Sequence, residues 1–193
     1  MEIEVLLFDA QLKYLGPLIT FADLHARELT HRMAAAWRKF VSLKQELTSN
    51  MYPLKHRMKL FQCVVMPTAL YGSAAWTLRK PEELVLLRTQ RRMLRMMLGS
   101  KRRLIQRTDD GQEQLESWVD WMKRTTNEAE NLMRSLKYDT WVDLHKAAKL
   151  AWQQEIDACS NFKWSHKLRM WDPQFCVKTF RARGRPKKRW SDQ

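Results

Sequence analysis

The chain has 193 residues, enough for one large or two small domains with a real core, and its hydrophobic fraction of 45% is ordinary for a globular protein. Its formal net charge of +14 sets up a positive field that attracts polyanions, nucleic acid first and an anionic membrane second. Three widely spread cysteines give no disulfide framework, no apolar run reaches the ~20 residues of a membrane span, and the acidic start Met1-Glu2-Ile3-Glu4 is no secretory signal, so an intracellular protein is expected.

Taken in chain order, polar–apolar alternation begins the segment 2–20, and Gly16-Pro17 interrupts its second apolar half. This predicts a short N-terminal β-hairpin within residues 1–22. A first helix is expected from about Leu24 to Leu47, with Asp23 as N-cap. Leu29, Met33, Trp37, Phe40 and Val41 share one face, and Glu28 and Arg32 pair on another. A second helix runs from about Pro53 to Met66 on a stripe of Leu54, Met58, Phe61 and Val65, and Pro67 breaks or kinks it. Thr68 to Trp76 is small and apolar and reads as a closely packed turn.

A third helix is expected from about Pro81 to Leu98, with Glu82 and Glu83 in the first turn and Gly99 as its stop. Leucines and methionines take one face, and Arg88, Arg91, Arg92 and Arg95 take the other. A fourth helix reads from about Gln112 to Lys137, with Asp110 and Glu113 as a capping box and a stripe including Leu115, Trp118, Val119, Met122, Ala129 and Met133. A fifth runs from about Trp141 to Ala158 behind Thr140 and Asp143, with Trp141, Leu144, Ala148, Ala151 and Trp152 as its stripe. The remainder, 161–193, is expected to be an irregular basic tail, flexible unless bound. The fold class is therefore mainly α: a short hairpin, about five helices and a basic tail.

Charge divides the chain unevenly. Residues 79–107 hold ten Lys/Arg against two Glu, whereas residues 108–160 hold eleven Asp/Glu against six Lys/Arg. This suggests a helical region over 23–107 with a basic third helix, followed by an acidic helical pair over 108–160. No phosphate loop or nucleophile elbow occurs, and Cys159, His166 and Cys176 fit no zinc spacing. No cofactor or metal is expected. Asp109-Asp110 has polar flanks and reads as a turn rather than a magnesium-binding pair.

Two basic features point to nucleic acid. Arg88, Arg91, Arg92 and Arg95, continued by Lys101, Arg102 and Arg103, form a cationic strip about 20 Å or more long, at ~1.5 Å of rise per helical residue. The tail segment Arg183-Gly184-Arg185-Pro186-Lys187-Lys188-Arg189 resembles the core of an AT-hook, in which Arg enters the narrow minor groove of A·T-rich DNA. Such a basic tail also suits nuclear localisation.

Three ordered segments carry a resemblance that spans the chain. They are Leu12-Lys13-Tyr14-Leu15-Gly16-Pro17-Leu18-Ile19-Thr20, Met66-Pro67-Thr68-Ala69-Leu70-Tyr71-Gly72-Ser73-Ala74-Ala75-Trp76, and Arg183 to Asp192 with its Gly184-Arg185-Pro186 and Trp190-Ser191-Asp192. In this order the chain resembles the C-terminal half of reverse transcriptases of LINE-type, non-LTR retrotransposons, with Ala75 where that family has Glu. The resemblance implies that Lys13, Tyr14, Leu15 and Gly16 match the hairpin that grips a primer terminus. It implies that residues 24–98 match the helical thumb, with Arg91, Arg92 and Arg95 facing the duplex backbone. The family's catalytic Asp-Asp lies upstream of Tyr-Leu-Gly, so the expectation is a fragment without palm and fingers and without polymerase activity of its own. Its expected partners are RNA or DNA, and the palm and fingers of a reverse transcriptase, with no membrane. The alternatives are a DNA-binding protein that uses the tail (Arg183, Arg185, Lys187, Lys188, Arg189) or a helical protein-interaction module.

Overall fold

The computed structural model of the protein describes residues 11–13, 16–20, 23–107, 113–159 and 163–170. The chain is mainly helical with a short N-terminal β-hairpin, as its sequence predicts. Strands β1 (Gln11–Lys13) and β2 (Leu18–Thr20) pair antiparallel, with Leu12 opposite Ile19 and Lys13 opposite Leu18. Two strands alone are marginal in water. Here Glu28 of α1 (Leu24–Ser42) fastens them, its Oε2 accepting the Leu18 backbone N–H at 2.6 Å. Its Oε1 accepts from Arg32 Nε at 2.6 Å. The expected Glu28–Arg32 pair is formed and lies buried beside the hairpin. Asp23 is no side-chain cap, because its φ of 46° makes it a left-handed residue leading into the helix.

Leu29, Met33, Ala36 and Phe40 bury the inner face of α1, while Val41 at its edge is exposed. The predicted long helix is interrupted at Leu43 and resumes as α2 (Lys44–Thr48). Next come α3 (Leu54–Leu60), a π turn over Phe61–Val65 and α4 (Met66–Ala69). Pro67 brings no N–H for the carbonyl four residues back, and the wider turn just ahead of it absorbs the mismatch. Gly72, at φ 71°, turns the chain into a 3₁₀ turn over Ser73–Ala75. Phe61 meets Phe40 edge-on at 6.3 Å and stacks on Trp141 at 5.8 Å with 7° between planes. This aromatic column lies at the centre of one buried cluster drawn from α1 to α7.

Helix α5 (Lys80–Leu98) starts where the Glu82 carboxylate accepts the Arg79 N–H and ends at Gly99, φ 64°. The stretch that follows departs from expectation. Strands β3 (Leu104–Arg107) and β4 (Glu113–Leu115) form a second antiparallel hairpin, and Glu116 N donates to Arg103 O at 2.7 Å to close its base. The helix read from Gln112 therefore begins later, as α6 (Trp118–Ser135), because strand pairing uses the backbone up to 115. Its cap is Ser117, whose Oγ accepts from Asp120 N at 3.1 Å. Asp109-Asp110 lies outside the described residues.

Helix α7 (Trp141–Ala158) has the predicted start, Thr140 Oγ1 accepting from Asp143 N at 3.2 Å. Its buried face differs from the predicted stripe. Trp141, His145, Lys149 and Ile156 face inward, while Ala148, Ala151 and Trp152 are exposed. Besides α5, α7 packs on the 3₁₀ turn at 73–75, whose backbone offers polar groups, Ser73 among them to His145, and His145 and Lys149 suit that neighbour better than alanine does. Helix α8 (Trp164–Met170) occupies part of a stretch expected to be irregular. Among the described residues no helix is long and apolar enough to cross a membrane.

Candidate nucleic-acid interface

The arginines of α5 are set by its registry. Leu86, Gln90, Met93, Leu94 and Met97 bury one face, so Arg88, Arg91, Arg92 and Arg95 must leave on the others. The cluster divides between two neighbours. Arg92 lies over the Trp37 ring of α1, its guanidinium carbon 5.3 Å from the centroid. Arg91 pairs with Glu130 of α6. Arg95 Nη1 donates to Thr126 Oγ1 at 3.1 Å, a neutral acceptor. Burial first, and then the Arg91 and Arg92 charges, push the Arg95 guanidinium below its ordinary value. Arg88 is exposed and has no partner among the described residues. The acidic helices thus neutralise one of the four arginines, and among the described residues no carboxylate compensates Arg88, Arg92 or Arg95.

Beyond Gly99 the strip continues as a pinned loop. Trp121 Nε1 donates to Ser100 O at 2.9 Å, Ser100 Oγ donates to Glu128 Oε2 at 2.9 Å, and Arg124 Nη2 donates to Lys101 O at 2.9 Å. Arg124 also forks across Glu116, with Nε and Nη2 at 3.0 and 2.8 Å, and reaches Glu128 at 2.8 Å. The hydrogen bonds from Arg124 hold the Glu116 carboxyl down at about 2, and Arg124 itself is raised. Arg102 Nε donates to Glu116 O at 2.6 Å, and Arg103 stands 3.8 Å from Glu128. Lys101, Arg102 and Arg103 are all exposed, on a backbone held by α6.

The N-terminal site residues are placed elsewhere. Lys13 is exposed on β1, and Tyr14 and Leu15 lie outside the described residues. Gly16, at φ 103°, sits where an added Cβ would stand 3.2 Å from Tyr71 Cε1 and 3.6 Å from Arg32 Nη2. Arg32 lies over the Tyr71 ring at 4.6 Å. The Tyr-Leu-Gly and Leu-Tyr-Gly segments, 55 positions apart by Gly16 and Tyr71, therefore meet in space. Arg183, Arg185, Lys187, Lys188 and Arg189 lie outside the described residues.

Sequence reading missed a polar seam under α7. His25 Nδ1 accepts from Thr77 N at 3.4 Å, and the His145 ring is 6.0 Å from that of Trp76. Burial is the main cause that lowers both histidines, and Lys149 adds to it. Scattered histidines gave no signal of this in the sequence. An open groove of about 820 Å³ also runs between α5, the end of α6 and the start of α7, floored by Leu84, Leu87, Leu94, Met133 and Val142. Among the described residues no group of three or more His, Cys, Asp or Glu is placed to hold a metal. Comparison with protein-family models, with curated proteins and with solved structures gives no match.

Proposed function

We propose that this protein binds nucleic acid, holding the backbone of a duplex against the outer face of α5. The observation that carries the reading is the set Arg88, Arg92 and Arg95, which leave one rigid helix with no carboxylate partner among the described residues. Cations fixed on a helix suit phosphates at set spacing, and backbone contacts of this kind read shape and charge rather than base sequence. The strip continues into Lys101, Arg102 and Arg103, so its length suits an extended polyanion rather than one small anion.

The origin proposed for this activity is the thumb and downstream part of a non-LTR retrotransposon reverse transcriptase. The ordered sequence segments support it, and so does the contact between Gly16 and the Tyr71–Arg32 pair, which joins two of them. In this reading the described helices contribute grip on the duplex backbone. A second reading, a helical interaction module, has the apolar groove beside α5 in its favour.

The test is binding to a labelled RNA–DNA duplex between about 50 and 200 mM salt, beside heparin of equal charge. Duplex preference over heparin is expected, with the salt slope falling by roughly 0.9 for each phosphate contact removed in Arg88→Gln, Arg92→Gln and Arg95→Gln. Unchanged binding in the triple variant would overturn the assignment to α5. If Arg183→Ala with Arg185→Ala removed the binding instead, the AT-hook-like tail would be the reader.

A further inference from the structure

We infer that the apolar face formed by Leu104, Ile105, Leu115, Trp118 and Val119 binds single-stranded nucleic acid where it leaves the duplex held on α5. The inference rests on the reading of α5 given above and names what that site takes at its end.

The face is built from adjoining pieces. Leu104 and Leu115 are cross-strand partners at the base of the β3–β4 hairpin, Ile105 is the next residue at the irregularity in its ladder, and Trp118 and Val119 are the first turn of α6. All five are exposed, Ile105 by 62%, Trp118 by 60% and Val119 by 54%. Strand pairing sets Leu104 opposite Leu115, and Trp118 and Val119 follow within four residues, so these exposed apolar side chains cluster at the hairpin base, which marks a contact surface. The hairpin base beneath it is held by Arg124, Glu116, Glu128 and Ser100, so the face is presented on a fixed support.

Charge decides the kind of partner. The carboxylates described around the face are engaged within the protein: Glu116 by Arg124 and the Arg103 N–H, Glu128 by Arg124 and Ser100, and Asp120 by the Ser117 hydroxyl. The cations are not engaged in the same way. Lys101 is exposed with no side-chain partner among the described residues, and Arg102 spends its Nε on a backbone carbonyl rather than a carboxylate. An exposed indole beside uncommitted Lys and Arg is the arrangement that stacks a base while holding its phosphates.

Position favours a strand over an isolated base. Gly99 and Ser100 alone separate the last turn of α5 from Lys101, so the cations of α5 and those at the hairpin base follow one another closely along the chain. The two surfaces differ in what they offer. On α5 the Trp37 ring is covered by Arg92, leaving cations for a backbone, whereas the hairpin face offers Trp118 open to a base.

The experiment compares full-length protein on one labelled duplex made blunt or with a single-stranded overhang of about eight nucleotides, within the usual site size for such binding. The overhang is expected to tighten binding about tenfold, the scale of one base stacked on an aromatic ring. Trp118→Ala, and separately Ile105→Ser, should remove that gain and leave blunt-duplex affinity unchanged. Blunt binding with no gain from the overhang, or a gain that Trp118→Ala retains, overturns this inference alone. Binding of neither substrate overturns the reading of α5 as well. Overhang binding without blunt binding, lost in Trp118→Ala, supports this face and sinks the α5 reading. A Trp118→Ala protein that loses binding to phosphatidylserine vesicles yet keeps the overhang gain overturns it in favour of a lipid surface.

Discussion

Gln90 Oε1 accepts the backbone N–H of Trp141 at 3.0 Å, so a buried amide on α5 takes up one of the free donors at the start of α7. Its Nε2 reaches Met133 Sδ of α6 at 3.9 Å, and one side chain thereby touches three helices. Gln90→Leu keeps the volume and strands the Trp141 donor. It should lower stability by about 1–3 kcal/mol, the usual penalty for a buried unsatisfied group. The measurement is the urea midpoint. An unchanged midpoint would mean that water reaches that N–H.

Half-buried His25 and buried His145 predict a stability that falls on mild acidification. Burial lowers both His25 and His145, so the folded protein keeps them neutral where the unfolded chain begins to take protons near pH 6.5. The contribution is whole above pH 6.5 and is lost as pH falls below it, because the unfolded state then binds more protons. Carboxylates held below their ordinary range do not titrate in that window. Urea midpoints at pH 7.5 and 5.5 should differ in the native protein, and the difference should shrink in His25→Gln with His145→Gln. An equal difference in the double variant would place the titrating group elsewhere.

Glu116 predicts a separate event at lower pH. Its folded carboxyl titrates at about 2 because Arg124 holds it, against an ordinary value near 4.5. Its contribution is therefore present above the ordinary value and is lost as pH falls toward 2. Glu116→Gln should release the loop at neutral pH. The Glu116 amide, which donates to Arg103 O, should then exchange its hydrogen faster than in the native protein. Slow exchange in the variant would show that strand pairing alone holds the hairpin.

At Gly16 both backbone and neighbours resist a side chain. Its φ of 103° is one L-residues rarely adopt, and a Cβ would press on the Tyr71 ring. Gly16→Val should cost about 1–3 kcal/mol of hairpin docking while leaving the helical core folded. Proteolysis at Lys13 should become faster with little change in the thermal melt. A melt that collapses with the hairpin would instead make β1 and β2 part of the cooperative core.

Much of the helical frame was legible because local signals and tertiary contacts agree. Thr140 and Asp143 cap α7 as a matched pair, and Gly99 ends α5 where a left-handed residue is needed. The rest depended on contacts a sequence pattern does not contain. Residues 113–115 look helical from the apolar spacing that follows them, yet they pair with β3 because the chain doubles back beyond Gly99. On α7 the alanines have the right spacing for a core face, but the neighbour is a turn with polar backbone, and His145 and Lys149 win the inner positions. The basic character of α5 was plain in the sequence. Which arginine meets Glu130, Thr126 or Trp37 was not, since those partners lie 31 or more positions away.

Buried Arg57 donates to Met97 O at 2.7 Å, to Leu47 O at 3.3 Å and to Tyr52 O at 3.1 Å. One guanidinium thus clamps the last turn of α5 to the arch between α2 and α3. This clamp restrains the end of α5, so under the proposed reading a polyanion on its arginines would meet a surface whose ordering entropy was spent when the chain folded.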